Sequence, residues 1–341
     1  MSSYISPVQS SRNFTDSKFP HCDNTLRTCF KTCKRKFYFQ HRLHLRTYYG
    51  STALRYGSTY HAAQEAFYNH IKENGWTRDG EALKAGMLAA QKEWEEISAK
   101  EQFYEDYRTL ENCFNSVLRY MSEFASDAGY LKVIASEEPF KVLMQLETEK
   151  EFDAFPDLKP FHFTGKKDLE VELNGRSWIF EHKTTGMPID QQAVRLNRSA
   201  QVMGYIYATI KKYGGRKNAP DGALINLHQL TARKSTAKGK EGTYGEPTIA
   251  FRRVPQVFND NDLYQWRLSM LDAVDSMQKE EKKGTWVMNH DSCFNYNKAC
   301  TYLSICQASE DLDDLRYDEG KYYIGEAWEV AKGVSAEDVI I

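Results

Sequence analysis

The 341-residue chain has no run of about 18 apolar residues and a mean hydropathy of −0.65, so no membrane-spanning helix is expected. Residues 1–17 are polar and lack the apolar core of a signal peptide, which predicts a cytoplasmic protein. Proline is scarce, at 9 residues against 20 Gly, and there is no internal repeat. With 41% hydrophobic and 13% aromatic residues, collagen-like, low-complexity and disordered classes are excluded. No Walker-type phosphate loop occurs, so the chain is not expected to hydrolyse ATP itself. Net charge is also nearly absent, at −2, but it is unevenly spread. Residues 1–50 hold nine Lys or Arg against two Asp, and residues 307–341 hold ten acids against three bases.

Seven cysteines are present, and six of them fall into two clusters at opposite ends: Cys22, Cys29 and Cys33, then Cys293, Cys300 and Cys306. In a reducing compartment a disulfide framework is disfavoured, and thiolates gathered from distant segments suit zinc or an iron-sulfur centre. Spacing argues mildly against zinc, because ribbon sites draw on close Cys-x2-4-Cys pairs and the three C-terminal cysteines form none.

Helical periodicity marks 22–37, 51–74, 81–99 and 101–127, with Gly75 and Gly80 as punctuation. After Gly129 the period shortens. Segments 132–145, 161–173 and 176–185 read as strands, with Asn174-Gly175 as a tight-hairpin signal. A helix over 190–213, strands near 222–231 and 248–257, and a helix over 259–282 follow, with a polar loop at 231–246. This order predicts an α/β fold with a helical N-terminal insertion. Because the cysteine clusters would have to meet, one domain is expected over 21–308: a helical part at 21–130, a core at 131–258 and a cluster-binding segment at 259–308. A polar segment, 1–20, precedes it and an acidic tail, 309–341, follows.

Asp168 and the run Glu181-His182-Lys183 carry the chemistry. On a strand, residues i and i+2 share a face, so Glu181 and Lys183 point together. With Asp168 on the neighbouring strand they form a candidate Mg²⁺ or Mn²⁺ site, to which the His182 backbone carbonyl could add a ligand. Lys183 would orient a water for attack on phosphorus. The plain alternative is a cross-strand salt bridge on a solvated face, since a lone Glu-x-Lys is common by chance. The apolar strand leading into it, Trp178-Ile179-Phe180, favours the site.

Four motifs in order, Gly57-x-x-x-His61, Gly165-x-x-Asp168, Glu181-x-Lys183 and Gln201-x-x-x-Tyr205, resemble the PD-(D/E)XK nuclease superfamily. They resemble in particular its RecB-type branch with an iron-sulfur cluster, which includes CRISPR-associated adaptation exonucleases, the AddB nuclease subunit and phage-encoded relatives. The resemblance spans Asn24 to Cys306 and implies a restriction-endonuclease-like core, a mixed sheet flanked by helices. It makes His61, Asp168 and Glu181 metal ligands and Lys183 the catalytic lysine, and it sets Gln201 and Tyr205 beside the site to contact the DNA backbone. Glu137 and Glu138 stand where this branch often carries acid, or are merely solvated. The branch's ligand set falls on Cys33, Cys293, Cys300 and Cys306, a [4Fe-4S] cluster clasping the two ends of the chain, although Lys34 replaces the usual proline.

Arg27, Lys31, Lys34, Arg35, Lys36 and Tyr38 interleave cations with aromatics, as a surface for DNA single strands or ends would, or as a solvated helix face over a core. The stretch Arg233–Lys240 is a weaker candidate. The expected activity is metal-dependent exonucleolytic digestion of single-stranded DNA ends by a metal-activated water. It would serve recombination, repair or adaptation, with a helicase or recombination partner. The competing class is a non-catalytic iron-sulfur DNA-binding scaffold subunit.

Overall fold

The structure, a computed structural model, describes residues 5–7, 21–76, 80–236, 242–295, 298–308, 316–318, 320–326 and 339–340. Most of the expected polar N-terminal segment and acidic tail, and the tip of the 231–246 loop, lie outside them. The elements run α1 (Asn24–Thr32), α2 (Lys34–Phe37), α3 (Thr52–Asn74), α4 (Glu81–Lys100), α5 (Leu110–Glu123), β1 (Leu131–Met144), α6 (Glu149–Ala154), β2 (Phe161–Leu173) and β3 (Arg176–Thr185). Next come α7 (Ile189–Leu196), α8 (Ala200–Lys212), β4 (Gly222–Thr231), β5 (Thr248–Gln256), α9 (Asp260–Lys283) and α10 (Leu303–Ala308).

Among the described residues the five labelled strands lie side by side in the order β1-β2-β3-β4-β5. Val339–Ile340 adds to β1 and His21–Cys22 pairs with β2, completing a seven-stranded sheet. The sheet is mixed: β2 with β3 and β4 with β5 are antiparallel, whereas β3 with β4 is parallel across the α7–α8 crossover. The β2–β3 hairpin closes at Asn174 and Gly175, whose φ angles of 53° and 73° are the left-handed pair a two-residue type I′ turn requires.

Contacts divide the chain into two compact units, each assembled from separate stretches. One comprises Met1–Tyr49, Lys141–Gly165 and Tyr264–Ile341, and the other Gly50–Phe140 and Lys166–Leu263. In the second, Phe67, Tyr68 and Tyr120 pack against Leu169, Val171, Phe180 and Leu224, so α3 and α5 cover the middle of the sheet. Gly86 lets α4 close on α3, since a Cβ there would lie 2.8 Å from the Ala63 carbonyl oxygen. In the first, Phe39, Leu45, Tyr302, Ile305 and Tyr322 form the core, and the buried Arg267 guanidinium holds the Glu151 carboxylate at 2.9 Å.

Three expected helices are shorter than their periodicity. Cys33 takes an extended backbone, φ −163°, ends α1, and caps α2 by accepting the Lys36 N–H at its Sγ. The 190–213 segment is two helices, because Arg198 adopts φ 64° and Ser199 caps α8. Residues 101–109 are not helical: Thr109 caps α5, and upstream Phe103 lies on the Arg55 guanidinium.

Candidate active site

The β2–β3 ladder pairs Leu169 with Phe180, which sets Asp168 beside Glu181 at the end of an apolar stretch of sheet. The Asp168 carboxylate accepts the His182 amide N–H at 2.7 Å, and His61 Nδ1 stands 3.4 Å from the same Oδ2. His61 is brought there by α3, which approaches β3 closely one turn earlier. A Cβ on Gly57 would sit 3.3 Å from Thr184 Oγ1, so the glycine of Gly57-x-x-x-His61 has a packing reason. Glu137 arrives from β1 through a left-handed backbone, φ 46°, and pairs with Lys166. One ligand atom each from His61, Glu137 and Asp168 lie within 4.8 Å of one another.

Glu181 is 1% exposed; its Oε1 lies 2.5 Å from Lys183 Nζ and its Oε2 has no hydrogen-bond partner. Burial raises the Asp168 carboxyl to about 6. Burial, then the Asp168 charge, raises Glu181 to about 7 and Glu137 to about 7. Glu65, four residues after His61 and hence on the same face of α3, adds to the negative potential at Asp168 and Glu137. Burial, then Lys183, keeps the His61 imidazole below its ordinary value, the neutral form a metal needs. Burial works against the Lys183 ammonium, but the Glu181 and Asp168 charges prevail and raise it. Crowded carboxyls that are costly to ionise, an orphaned buried oxygen and a neutral imidazole form a donor set suited to a hard divalent cation.

Gln201 and Tyr205 meet one turn apart on α8, Nε2 donating to the phenol oxygen at 2.7 Å, and the Tyr205 ring lies edge-on to Phe140 at 5.8 Å. Burial, then the Glu181 charge, holds the Tyr205 phenol well above its ordinary value, so it stays protonated. His182 gives the site its amide. Its ring packs 5.9 Å from both Tyr68 and Tyr120, and burial keeps it neutral.

A family model for the PD-(D/E)XK nuclease superfamily matches residues 27–307. The chain belongs to that superfamily. No curated protein matches it. Among solved structures it resembles a protein of Eubacterium rectale, provisionally described as an exonuclease, at 14% identity and a TM-score of 0.41, over 89% of this chain and 94% of the other. As a PD-(D/E)XK nuclease the chain is expected to act on DNA with a divalent metal, and the acidic cluster is where such an ion fits.

Two residues of this nuclease's cluster, Lys166 and Glu65, carry no role in the sequence motifs, whereas Glu137 stands where the resembled branch often carries acid. Glu65 could have been found from its four-residue helical offset to His61. Behind the site, buried Lys167 bridges Glu138 at 2.6 Å and Glu170 at 2.8 Å, and Tyr213 and Lys212 complete the network at 2.7 and 2.6 Å.

In the first unit, Cys33, Cys293, Cys300 and Cys306 line one pocket together with Lys36, Met288 and Tyr302. The Cys33 sulfur accepts the Lys36 and Asn289 N–H groups at 3.5 and 3.4 Å. Cys29 is turned to Gln40, at 3.8 Å, and Cys113 is buried in α5, where burial lifts its thiol to about 12. The basic segment faces α9 and its flank. Arg27 and Lys31 donate to Ser269 Oγ at 2.6 and 2.9 Å, and Lys34 pairs with Glu280 at 2.8 Å. Arg35 lies over the Phe39 ring at 5.8 Å, and Tyr38 stacks on Trp286 at 5.6 Å.

Proposed function

We propose that the chain is a Mg²⁺- or Mn²⁺-dependent deoxyribonuclease of the RecB-type branch that digests single-stranded DNA ends. The observation that carries the reading is the meeting of His61, Glu137 and Asp168 beside the buried Glu181 and its half-buried partner Lys183. His61, Glu137, Asp168 and Glu181 would hold the ion, with the His182 carbonyl as a further donor. When bound, the ion supplies positive charge against the anion that develops on the scissile phosphate. Lys183, held cationic by two carboxylates, positions the attacking water and steadies the charge that builds beside it. The Gln201–Tyr205 pair presents neutral donors toward a backbone phosphate.

The proposal extends to the cysteines. It places a structural [4Fe-4S] cluster on Cys33, Cys293, Cys300 and Cys306, which line one pocket although, among the described residues, their sulfurs do not gather within ligand spacing of one another. A brown preparation with a broad visible band agrees with iron-sulfur; a colourless one with stoichiometric zinc contradicts it. The pathway, whether recombination, repair or adaptation, and a helicase partner belong to the same proposal.

The test is digestion of end-labelled single- and double-stranded DNA with Mg²⁺ or Mn²⁺ by wild type and Lys183→Ala. Metal-dependent shortening from the end that is lost in the variant supports the proposal. Equal activity in both, or none from folded, metal-loaded wild type, refutes it.

A further inference from the structure

Beyond Lys183, β3 runs through Thr184 and Thr185 to the exposed Gly186, a distance of about 10 Å at 3.3 Å per residue, the span of roughly three stacked nucleotides. Segment 101–109 closes on that point. A Cβ on Gly186 would lie 3.1 Å from Arg108 Nη2 and 3.3 Å from the Tyr107 hydroxyl. Arg108 lies over the Tyr107 ring at 4.6 Å and donates to its hydroxyl at 2.9 Å, while its guanidinium also pairs with Asp106 and is fixed there. Tyr244 meets the same ring edge to face at 5.3 Å. Tyr244 and Lys234 form an antiparallel bridge, so their side chains share a face, and Lys234 and Arg233 are exposed.

The segment is irregular but firmly held. Arg55 is clamped between the Trp94 and Phe103 rings at 3.8 and 4.1 Å. Thr52 Oγ1 donates to the Tyr104 carbonyl at 2.8 Å, and Asn112 Nδ2 to the Tyr107 carbonyl at 2.7 Å. So many bonds to a stretch without regular structure keep an aromatic and cationic ledge in place at the exit of the catalytic strand.

We propose that this ledge, Tyr107, Arg108, Lys234 and Tyr244, binds the unpaired nucleotides adjoining the scissile phosphate. The inference rests on the nuclease reading and extends it to a substrate-strand site. The exposed Lys234 recognises phosphate, Arg108, paired with Asp106, holds the Tyr107 ring in place, and tyrosine faces recognise bases, which offer their π-faces only when unpaired. The ledge therefore selects single-stranded DNA over duplex.

The test is fluorescence anisotropy of the full-length protein in EDTA with a labelled 12-nucleotide single strand and a blunt duplex of equal length. Tyr244→Ala is expected to weaken single-strand binding about tenfold and leave the duplex unchanged, and Tyr244→Phe to retain wild-type binding because the ring remains. Lys234→Gln should lower the slope of log affinity against log salt by roughly 0.7, one phosphate contact. Thermal melts identify any variant that has lost its fold, and Lys234→Gln then carries the test alone. Unchanged single-strand affinity in the folded variants, or equal loss for strand and duplex, overturns the ledge. Cleavage separates the two readings: a chain that cleaves DNA while these variants bind normally refutes the ledge alone, and ring-dependent binding without metal-dependent cleavage supports the ledge while refuting the nuclease reading.

Discussion

Lowering the pH from 8 to 6 should weaken Mn²⁺ binding at the acidic cluster by roughly two orders of magnitude, with proton release as its signature. The carboxyls of Glu137 and Glu181 stand at about 7 and that of Asp168 at about 6, all raised chiefly by burial. At pH 8 all three are almost fully ionised, and Mn²⁺ enters with little proton displacement. At pH 6 the first two are mostly protonated and the third about half, so binding must expel about two protons in all from the group as a whole. Isothermal titration calorimetry in two buffers of different ionisation enthalpy counts these protons directly. Fewer than about half a proton released at pH 6, with an affinity independent of pH, would refute the electrostatic account of the site.

Without metal, the same shifts set the pH dependence of stability. Folded-state values above the unfolded ones mean that the folded chain holds extra protons between about pH 4 and 7, so this contribution is present at low pH and is lost as pH rises through that window. Melting in EDTA should show a lower Tm at pH 8 than at pH 5, a slope that Glu137→Gln flattens and added Mn²⁺ reverses; a slope unaltered by the variant contradicts this. Lys167→Met leaves Glu138 and Glu170 without their shared buried cation and should cost about 3–5 kcal/mol in urea unfolding, a loss under 1 kcal/mol being the contrary result. Gly57→Val crowds Thr184 and should push α3, with His61, off β3, lowering Mn²⁺ affinity on the order of tenfold; unchanged affinity would show that the close approach is incidental.

What the sequence showed and what it hid differ by range. The β2–β3 hairpin was legible because two-residue alternation and Asn174-Gly175 act locally, and it carried Asp168, Glu181 and Lys183 into place. Glu137 was marked only by the resemblance, and its route into the site was not legible, because it passes through a left-handed backbone that no local signal marks in a glutamate. The break at Arg198 was hidden for a similar reason: its conformation is held from outside, where Gln256 accepts its N–H at 3.1 Å and Asp262 pairs with its guanidinium. The contacts of the basic segment with Ser269 and Glu280 were not legible, because those partners lie more than 230 residues away in sequence. The cysteine spacing pointed to a thiolate site, whereas only the fold separates Cys33, in the shared pocket, from Cys29, turned to Gln40.

The most direct test of the central claim compares two titrations of the same protein at pH 8. One follows Mn²⁺ binding without DNA, and the other follows end-labelled DNA cleavage against Mn²⁺ concentration. The account predicts that the half-saturating concentration for cleavage tracks the binding constant, and that Asp168→Asn abolishes both in a chain that still folds. Cleavage that survives in folded Asp168→Asn, or that saturates independently of this binding event, contradicts the assignment of catalysis to the His61, Glu137, Asp168, Glu181 and Lys183 cluster.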